Sequence, residues 1–324
     1  MDIQTQIHKA KKPIEEALRQ LRGAGHGEIA RTVREVFRME LAHLIEGNEK
    51  NPVHHTAHVA NFMTEILLGE GATADQIKHG VFAALLHDIG LARTGEGKIR
   101  KADLQKDIDS AKDWEGVSKV VTEAVQSRKS HMKLGSEIAR SVLIGYNDWT
   151  GKPFFDPQKD IPEICRLIAI HDDPSICEYE RMSLQWLKNH ATASGPSKKP
   201  DPRQWLIKKD DFLMKCLREA DRVWMVSPDG VAVDLERDSA KAQEAVRNAK
   251  QPIQKASADP AGRINGNVQR HREEMQLYKQ EFGRVKLAAY GFKNGFLYRT
   301  TTGYAIFRRL IAEVQALYQV NVVL

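Results

Sequence analysis

The sequence predicts an all-α protein, and three observations carry that prediction. Apolar residues recur at spacings of three and four through much of the chain, which is the pattern of a helix with one buried face. Aromatic residues make up only 7% of the chain against 28% charged, a balance that suits helices better than a β-sandwich. The 324 residues suffice for one large domain, or a domain with an appendix, around a full core.

Taken in order, the first stripe is Ile14, Ala17, Leu18 and Leu21, and the second is Ile29, Val33, Val36, Phe37, Leu41 and Leu44. The turn "RGAGHGE" between them predicts a helical hairpin over residues 1–50, leaning on the domain or on a second copy of it. Asn51-Pro52 ends that pair, and a new helix starts near His54 with Val59, Phe62, Met63, Ile66 and Leu67 buried. It carries three histidines in five residues, His54, His55 and His58. After "GEGAT", Thr73 or Asp75 caps the next helix, which runs into Ala83-Ala84-Leu85-Leu86-His87-Asp88-Ile89-Gly90.

That last run is the chemical focus. A His and an Asp closing an apolar helix need a reason, because burying them unpaired costs several kcal/mol. A metal ion supplies one, since imidazole nitrogen and carboxylate oxygen both bind mid-sized divalent cations. A buried His–Asp hydrogen bond or a helix cap supplies another.

The segment 91–130 is polar and charged, and its opening "TGEGK" reads as a loop at a site mouth. It is not a phosphate P-loop, because the GxxxxGK[ST] spacing is missing. His131 begins a helix with Leu134, Ile138, Ala139, Val142 and Leu143, and the aromatic loop "GYNDWTGKPFFDPQKD" follows. A helix over Ile164 to Ile170 ends at His171, with Asp172 and Asp173 placed either to orient that imidazole or to stop the helix. Asn189 to Gln204 is a Pro/Ser/Lys loop, and helical spacing returns over Phe212 to Val226 with Asp221 in apolar company. Beyond Ser227-Pro228 come a charged helix from Val233, a break at "ADPAGRINGN", a polar helix from Val268, and an amphipathic helix over Ala305, Leu310, Ile311, Val314 and Leu317. Basic and aromatic residues interleave there, but no nucleic-acid motif accompanies them, so packed surface is preferred over nucleic-acid binding.

The run "AALLHDIG" resembles the signature of the HD superfamily of metal-dependent phosphohydrolases, over roughly Asn51 to Val226. The family orders its ligands as an upstream His, the His-Asp pair and a late Asp, with two further His in members that hold two metals. By that resemblance the metal ligands are His55, His87, Asp88, His131, His171 and Asp221, with His58 the alternative to His55. The motifs "HTAHVA", "HMKLGSEIA", "RLIAIH" and "CLREAD" carry it. The Gly-Tyr-Pro segment of the HD-GYP phosphodiesterases is missing after His171, where the chain reads "DDPSICEYE", and the family's Lys after "HDIG" is Leu91 here.

The resemblance implies an all-α HD-domain bundle at 51–228, with an N-terminal hairpin at 1–50 and a mostly helical C-terminal extension at 229–324 packed on the core or on a partner. It implies hydrolysis of a phosphate ester or anhydride of a nucleotide-like substrate by a metal-activated water. One or two divalent ions serve (Mn, Fe, Co, Ni or Zn, with Mg allowed), Asp88 bridges, and His54 and His58 stand as proton donors. Arg93, Lys98, Arg128 and Lys129 are the candidate phosphate contacts. Two alternatives share the ligand order: a mixed-valent di-iron oxygenase, and a non-catalytic HD ligand-sensing or regulatory module.

Charge and cysteine content fit this expectation. A net charge of +6 favours anionic ligands without requiring nucleic acid. Cys165, Cys177 and Cys216 form no C-x-x-C pair and read as core thiols in a reducing compartment. No apolar span or leader is evident, so the reading is a cytoplasmic protein without a membrane partner, with a homodimer allowed.

Overall fold

The computed structural model describes residues 3–45, 53–92, 101–190, 200–201, 204, 211–236, 259–276 and 298–322. Every regular element among them is helical, apart from one isolated bridge between Asn147 and Pro153, so the fold is all-α as the sequence predicts. No described helix is long and apolar enough to cross a membrane. Packing divides the chain into two compact units, Met1–Leu217 and Arg218–Leu324.

The first unit opens with α1 (Ile3–Gly23) and α2 (Gly27–Ile45), the expected hairpin. Of its stripes, Ile14, Ala17, Leu18 and Leu21 on α1 and Ile29, Val33, Val36 and Phe37 on α2 are buried, Leu41 is half-buried, and the Leu44 side chain lies outside the described residues. Helix α1 lies along α3 (Val53–Gly69), which in turn packs on α4 (Ala74–Leu86). Thr73 caps α4 through a reciprocal box with Gln76, satisfying two backbone donors at the helix start.

A short 3-10 turn, Ile89–Ala92, follows the His-Asp pair. Then come α5 (Lys101–Ser110), α6 (Trp114–Ile144), α7 (Asp160–Ile170) and α8 (Asp173–Asn189). Leu104 and Ile108 of α5, Val117, Val121, Ala124 and Val125 of α6, and Ile176, Tyr179 and Trp186 of α8 share one apolar cluster.

Helix α6 corrects the sequence reading. His131 does not begin a helix; it sits past the middle of a 31-residue one. The polar stretch that masked its start hides a stripe, because Val117, Val121, Ala124 and Val125 fall at helical spacing among exposed charges. Asp113 caps it, accepting from the Gly116 N–H at 2.8 Å.

Helices α4 and α7 are pinned near their starts. Asp160, buried at the first turn of α7, accepts from Lys78 Nζ at 2.8 Å and meets His79 Nε2 at 2.7 Å. Burial works to raise the pKa of Asp160, but Lys78, the Asp156 N–H and His79 outweigh it and hold the carboxylate below its usual range. From this pin both helices run toward their C-terminal ends, where His87 and His171 stand.

The division between units falls inside α9 (Phe212–Val223). In the second unit, α9 passes into a 3-10 turn, Trp224–Val226, followed by α10 (helical over 228–236), α11 (Pro260–Gln276) and α12 (Thr301–Tyr318). Helices α11 and α12 pack on that turn. The "ADPAGRINGN" break is overturned: Asp259 accepts from the Gly262 N–H at 3.0 Å, and α11 runs through both glycines with Ile264 and Val268 buried. The α12 stripe also shifts, to Ile306, Phe307, Leu310, Ile311 and Val314, while Leu317 is 62% exposed. Glu219, fully buried, holds the start of α12 by accepting from the Arg299 N–H at 2.5 Å and the Thr300 N–H at 3.3 Å.

The three cysteines are free and buried, as read. Most of the 189–204 loop lies outside the described residues, as do Lys286, Tyr290, Phe292, Lys293 and Phe296 of the C-terminal basic-aromatic stretch.

Candidate metal centre

Two helix ends build the centre in the same way. His87 closes α4 and His171 closes α7, each still in helical conformation. Each ring turns Nδ1 back onto the carbonyl three residues earlier, Ala84 O for His87 and Ile168 O for His171, both at 2.7 Å. A carbonyl can only accept, so the proton sits on Nδ1, and in the neutral ring Nε2 is the nitrogen left to ligate. Helix C-termini also carry partial negative charge, so two of them at one place favour a cation.

The other two imidazoles do not close helices. His55 stands in the first turn of α3, and its Nε2 lies 3.2 Å from His87 Nε2. His131 projects from α6, with Nε2 3.4 Å from His171 Nε2. The rings form a chain, with centroids 5.2 Å apart for His55–His87, 5.1 Å for His87–His171 and 5.3 Å for His171–His131. All four are buried.

Asp88 divides them into pairs. Its Oδ2 is 3.7 Å from both His55 Nε2 and His87 Nε2, and its Oδ1 is 3.3 Å from His171 Nε2 and 4.0 Å from His131 Nε2. Asp88, His131 and His171 offer three donor atoms close enough to share one ion.

The donor chemistry fits a metal. Lone pairs of His87 and His171 aimed at another imidazole nitrogen and at a carboxylate oxygen repel unless a cation or a proton lies between them. Metal–ligand bonds of roughly 2.0–2.2 Å place neighbouring donors 3–4 Å apart around one ion, the spacing found here. The set has nitrogen and oxygen donors and no thiolate, which suits divalent transition metals.

Gly90 makes the assembly possible. A Cβ there would lie 2.1 Å from the His131 carbonyl and 2.5 Å from Gly135 N, so the turn after Asp88 touches the α6 backbone directly. Gly135 answers from the other side, where an added Cβ would be 3.3 Å from Gly90 N. The "HDIG" glycine and the glycine of "HMKLG" are one contact seen from two motifs.

The remaining candidates fall as follows. His54 is fully buried and meets His58 edge-on at 6.5 Å between centroids, while His58 leans on Phe62 at 5.8 Å. Arg128 on α6 donates to Asp172 through Nη1, and to Tyr179 OH through Nε at 3.0 Å and Nη2 at 2.8 Å. Burial opposes its charge, but the charges and hydrogen bonds of Asp172 and Tyr179 outweigh that and raise its pKa. Lys129 beside it is half-buried. Arg93 and Lys98 lie outside the described residues. Asp221 stands on the second half of α9, its side chain 17% exposed and 3.7 Å from Arg222 Nη1, less buried than its apolar neighbours suggest.

Of the two roles read for Asp172, the helix boundary is the one seen, since it is the N-cap residue of α8. Rather than orienting His171, which Ile168 O does, it turns Oδ2 to Arg128 and accepts from Ser175 Oγ at 2.7 Å on Oδ1. Its Oδ2 also comes within 3.9 Å of His131 Nε2. Asp173 is simply the first residue of α8.

Sequence reasoning missed Glu40. It projects from α2 with no exposed surface, accepting from Thr56 Oγ1 at 3.2 Å on Oε1. Burial pushes its pKa well above the usual carboxylate range against that hydrogen bond, and the charge of Asp88 adds to the rise. Nothing local in "FRMELAHL" marks this Glu as buried.

Comparison with known families matches residues 53–223 to the model described as HD domain. No curated protein and no solved structure matches the chain.

Proposed function

The chain belongs to the HD-domain family, and on that premise we propose that it is a metal-dependent phosphohydrolase acting on a phosphate ester or anhydride of a nucleotide-like small molecule. The observation that carries the reading is Asp88, whose two oxygens each face their own pair of imidazoles. A carboxylate so placed suits two ions, and we assign His55 and His87 to one and His131 and His171 to the other, with Asp221 as the sixth ligand. The ions, when bound, supply Lewis-acid activation of water and of the phosphoryl oxygen.

The chain's own groups do the rest. The Ala84 and Ile168 carbonyls hold His87 and His171 in the ligating tautomer. Arg128, fixed between Asp172 and Tyr179, contributes a stationary positive charge behind His131 rather than a mobile arm. Lys129, Arg93 and Lys98 are the proposed phosphate contacts, and His54 and His58 the proposed proton donors to the leaving group.

The deciding assay is a panel of nucleoside mono-, di- and triphosphates, cyclic nucleotides and simple phosphate esters, run under argon with Mn, Co, Zn or Mg. We expect metal-dependent release of phosphate or pyrophosphate without dioxygen, because hydrolysis needs no redox change. Silence on every phosphate, together with oxygen consumption by the iron-loaded protein, would identify an oxygenase instead.

Asp221→Ala should lower the bound-metal count and abolish turnover while helix content stays near wild type by circular dichroism. A variant that unfolds with its full metal content would make Asp221 a structural residue.

A further inference from the structure

Glu40 lies outside the residues that match the family, on the second helix of the N-terminal hairpin. It is a fully buried carboxylate, and its Oε2 finds no hydrogen-bond donor among the described residues. A buried acceptor left without a donor is rare in native proteins and points to a partner of another kind.

Its surroundings say what kind. On one side Oε1 accepts from Thr56 Oγ1 at 3.2 Å, and Thr56 directly follows His55 on α3. On the other side α2 packs against the Ile89–Ala92 turn, which directly follows Asp88. Glu40 is therefore tied to the segment that carries His55, on a helix that packs against the turn following the His87-Asp88 pair. The charge of Asp88 works against its ionised form, so an ionised Glu40 beside Asp88 calls for a balancing cation.

We propose that Glu40 is an acidic residue of the metal centre itself, contributed by the N-terminal hairpin, whose buried Oε2 without a donor adds an anionic partner for the cation gathered by His55, His87 and Asp88. It is a positioning residue: it raises cation affinity and fixes α2 against α3 once the charge is balanced. The hairpin is then a working part of the centre and not an appendage to it. This inference rests on the proposed metal site.

The test uses the full chain, stripped with chelator and titrated with Mn or Zn by calorimetry, beside thermal unfolding with and without metal. Glu40→Gln keeps the shape and removes the charge. We expect its metal affinity to fall about tenfold or more, the scale on which partners of metal ligands act. The stripped variant should unfold no lower than stripped wild type, because burial holds the stripped carboxyl in its neutral form and Gln matches its shape, and its stabilisation by metal should shrink. Glu40→Asp, which keeps the charge one methylene short, should bind more tightly than the Gln variant and more weakly than wild type.

Affinity of the Gln variant unchanged from wild type would overturn the proposal while leaving the metal site standing. Wild type that binds no metal would overturn both. Should the Gln variant not fold, wild-type affinity in the Asp variant counts against Glu40.

Discussion

Asp88→Asn should bind neither ion with useful affinity and should lose more than about 1,000-fold in turnover, well beyond the 10–100-fold that follows loss of a ligand's outer partner. The amide keeps the size of the side chain but not the charge, and its nitrogen offers no lone pair to a metal. The loss should reach both proposed positions, because Oδ2 faces the His55–His87 pair and Oδ1 the His131–His171 pair. Single histidine variants should differ in kind: His131→Ala should spare the position of His55 and His87, and His55→Ala the other. The measurement is elemental analysis of protein purified without chelator, alongside turnover on whichever phosphate the panel identifies. Retention of both ions at wild-type affinity in Asp88→Asn would mean that Asp88 bridges nothing.

Much of this centre is legible in the sequence, and the reason is physical. A His-Asp pair at the end of an unbroken apolar helix has few ways to exist, and the apolar run Val81 to Leu86 fixes where the pair must sit. His171 is readable for the same reason, since the run Ile164 to Ile170 delivers it to a helix end. His131 is harder to place because it lies inside a helix whose exposed charges dilute its stripe, so its helix start is misplaced by seventeen residues, from Trp114 to His131. Glu40 is illegible altogether: it becomes special only through Thr56 and Asp88, both remote in sequence. The same limit explains Asp172, whose neighbour His171 suggests a partner that the fold replaces with Arg128 from a different helix. Local sequence reports which face of a helix is buried, not which residue of another helix will meet it.

Gly90→Ala should be among the most disruptive single-methyl additions at the described residues. The glycine does not have positive φ, so the cost is not one of backbone conformation. It is contact: the new Cβ would fall 2.1 Å from the His131 carbonyl and 2.5 Å from Gly135 N, and both are main-chain atoms of a 31-residue helix that cannot swing aside as a side chain does. Overpacking of a core commonly costs about 1–3 kcal/mol, and a backbone obstacle places this case at the upper end. For a unit of this size that corresponds to a fall of roughly 6–12 °C in Tm. Relief requires α6 to move away from the Ile89–Ala92 turn, and that movement carries His131 away from Asp88. The His131–His171 position should therefore lose its ion first, while that of His55 and His87 retains affinity. Gly135→Ala gives the internal comparison, because its added Cβ meets Gly90 N at 3.3 Å and Ile168 Cγ2 at 3.4 Å, where a shift of a few tenths of an ångström suffices. We expect the two variants to rank in that order in both Tm and metal content. Equal stability of Gly90→Ala and wild type, or a larger loss in Gly135→Ala, would show that the contact between the His-Asp turn and α6 does not hold the centre together.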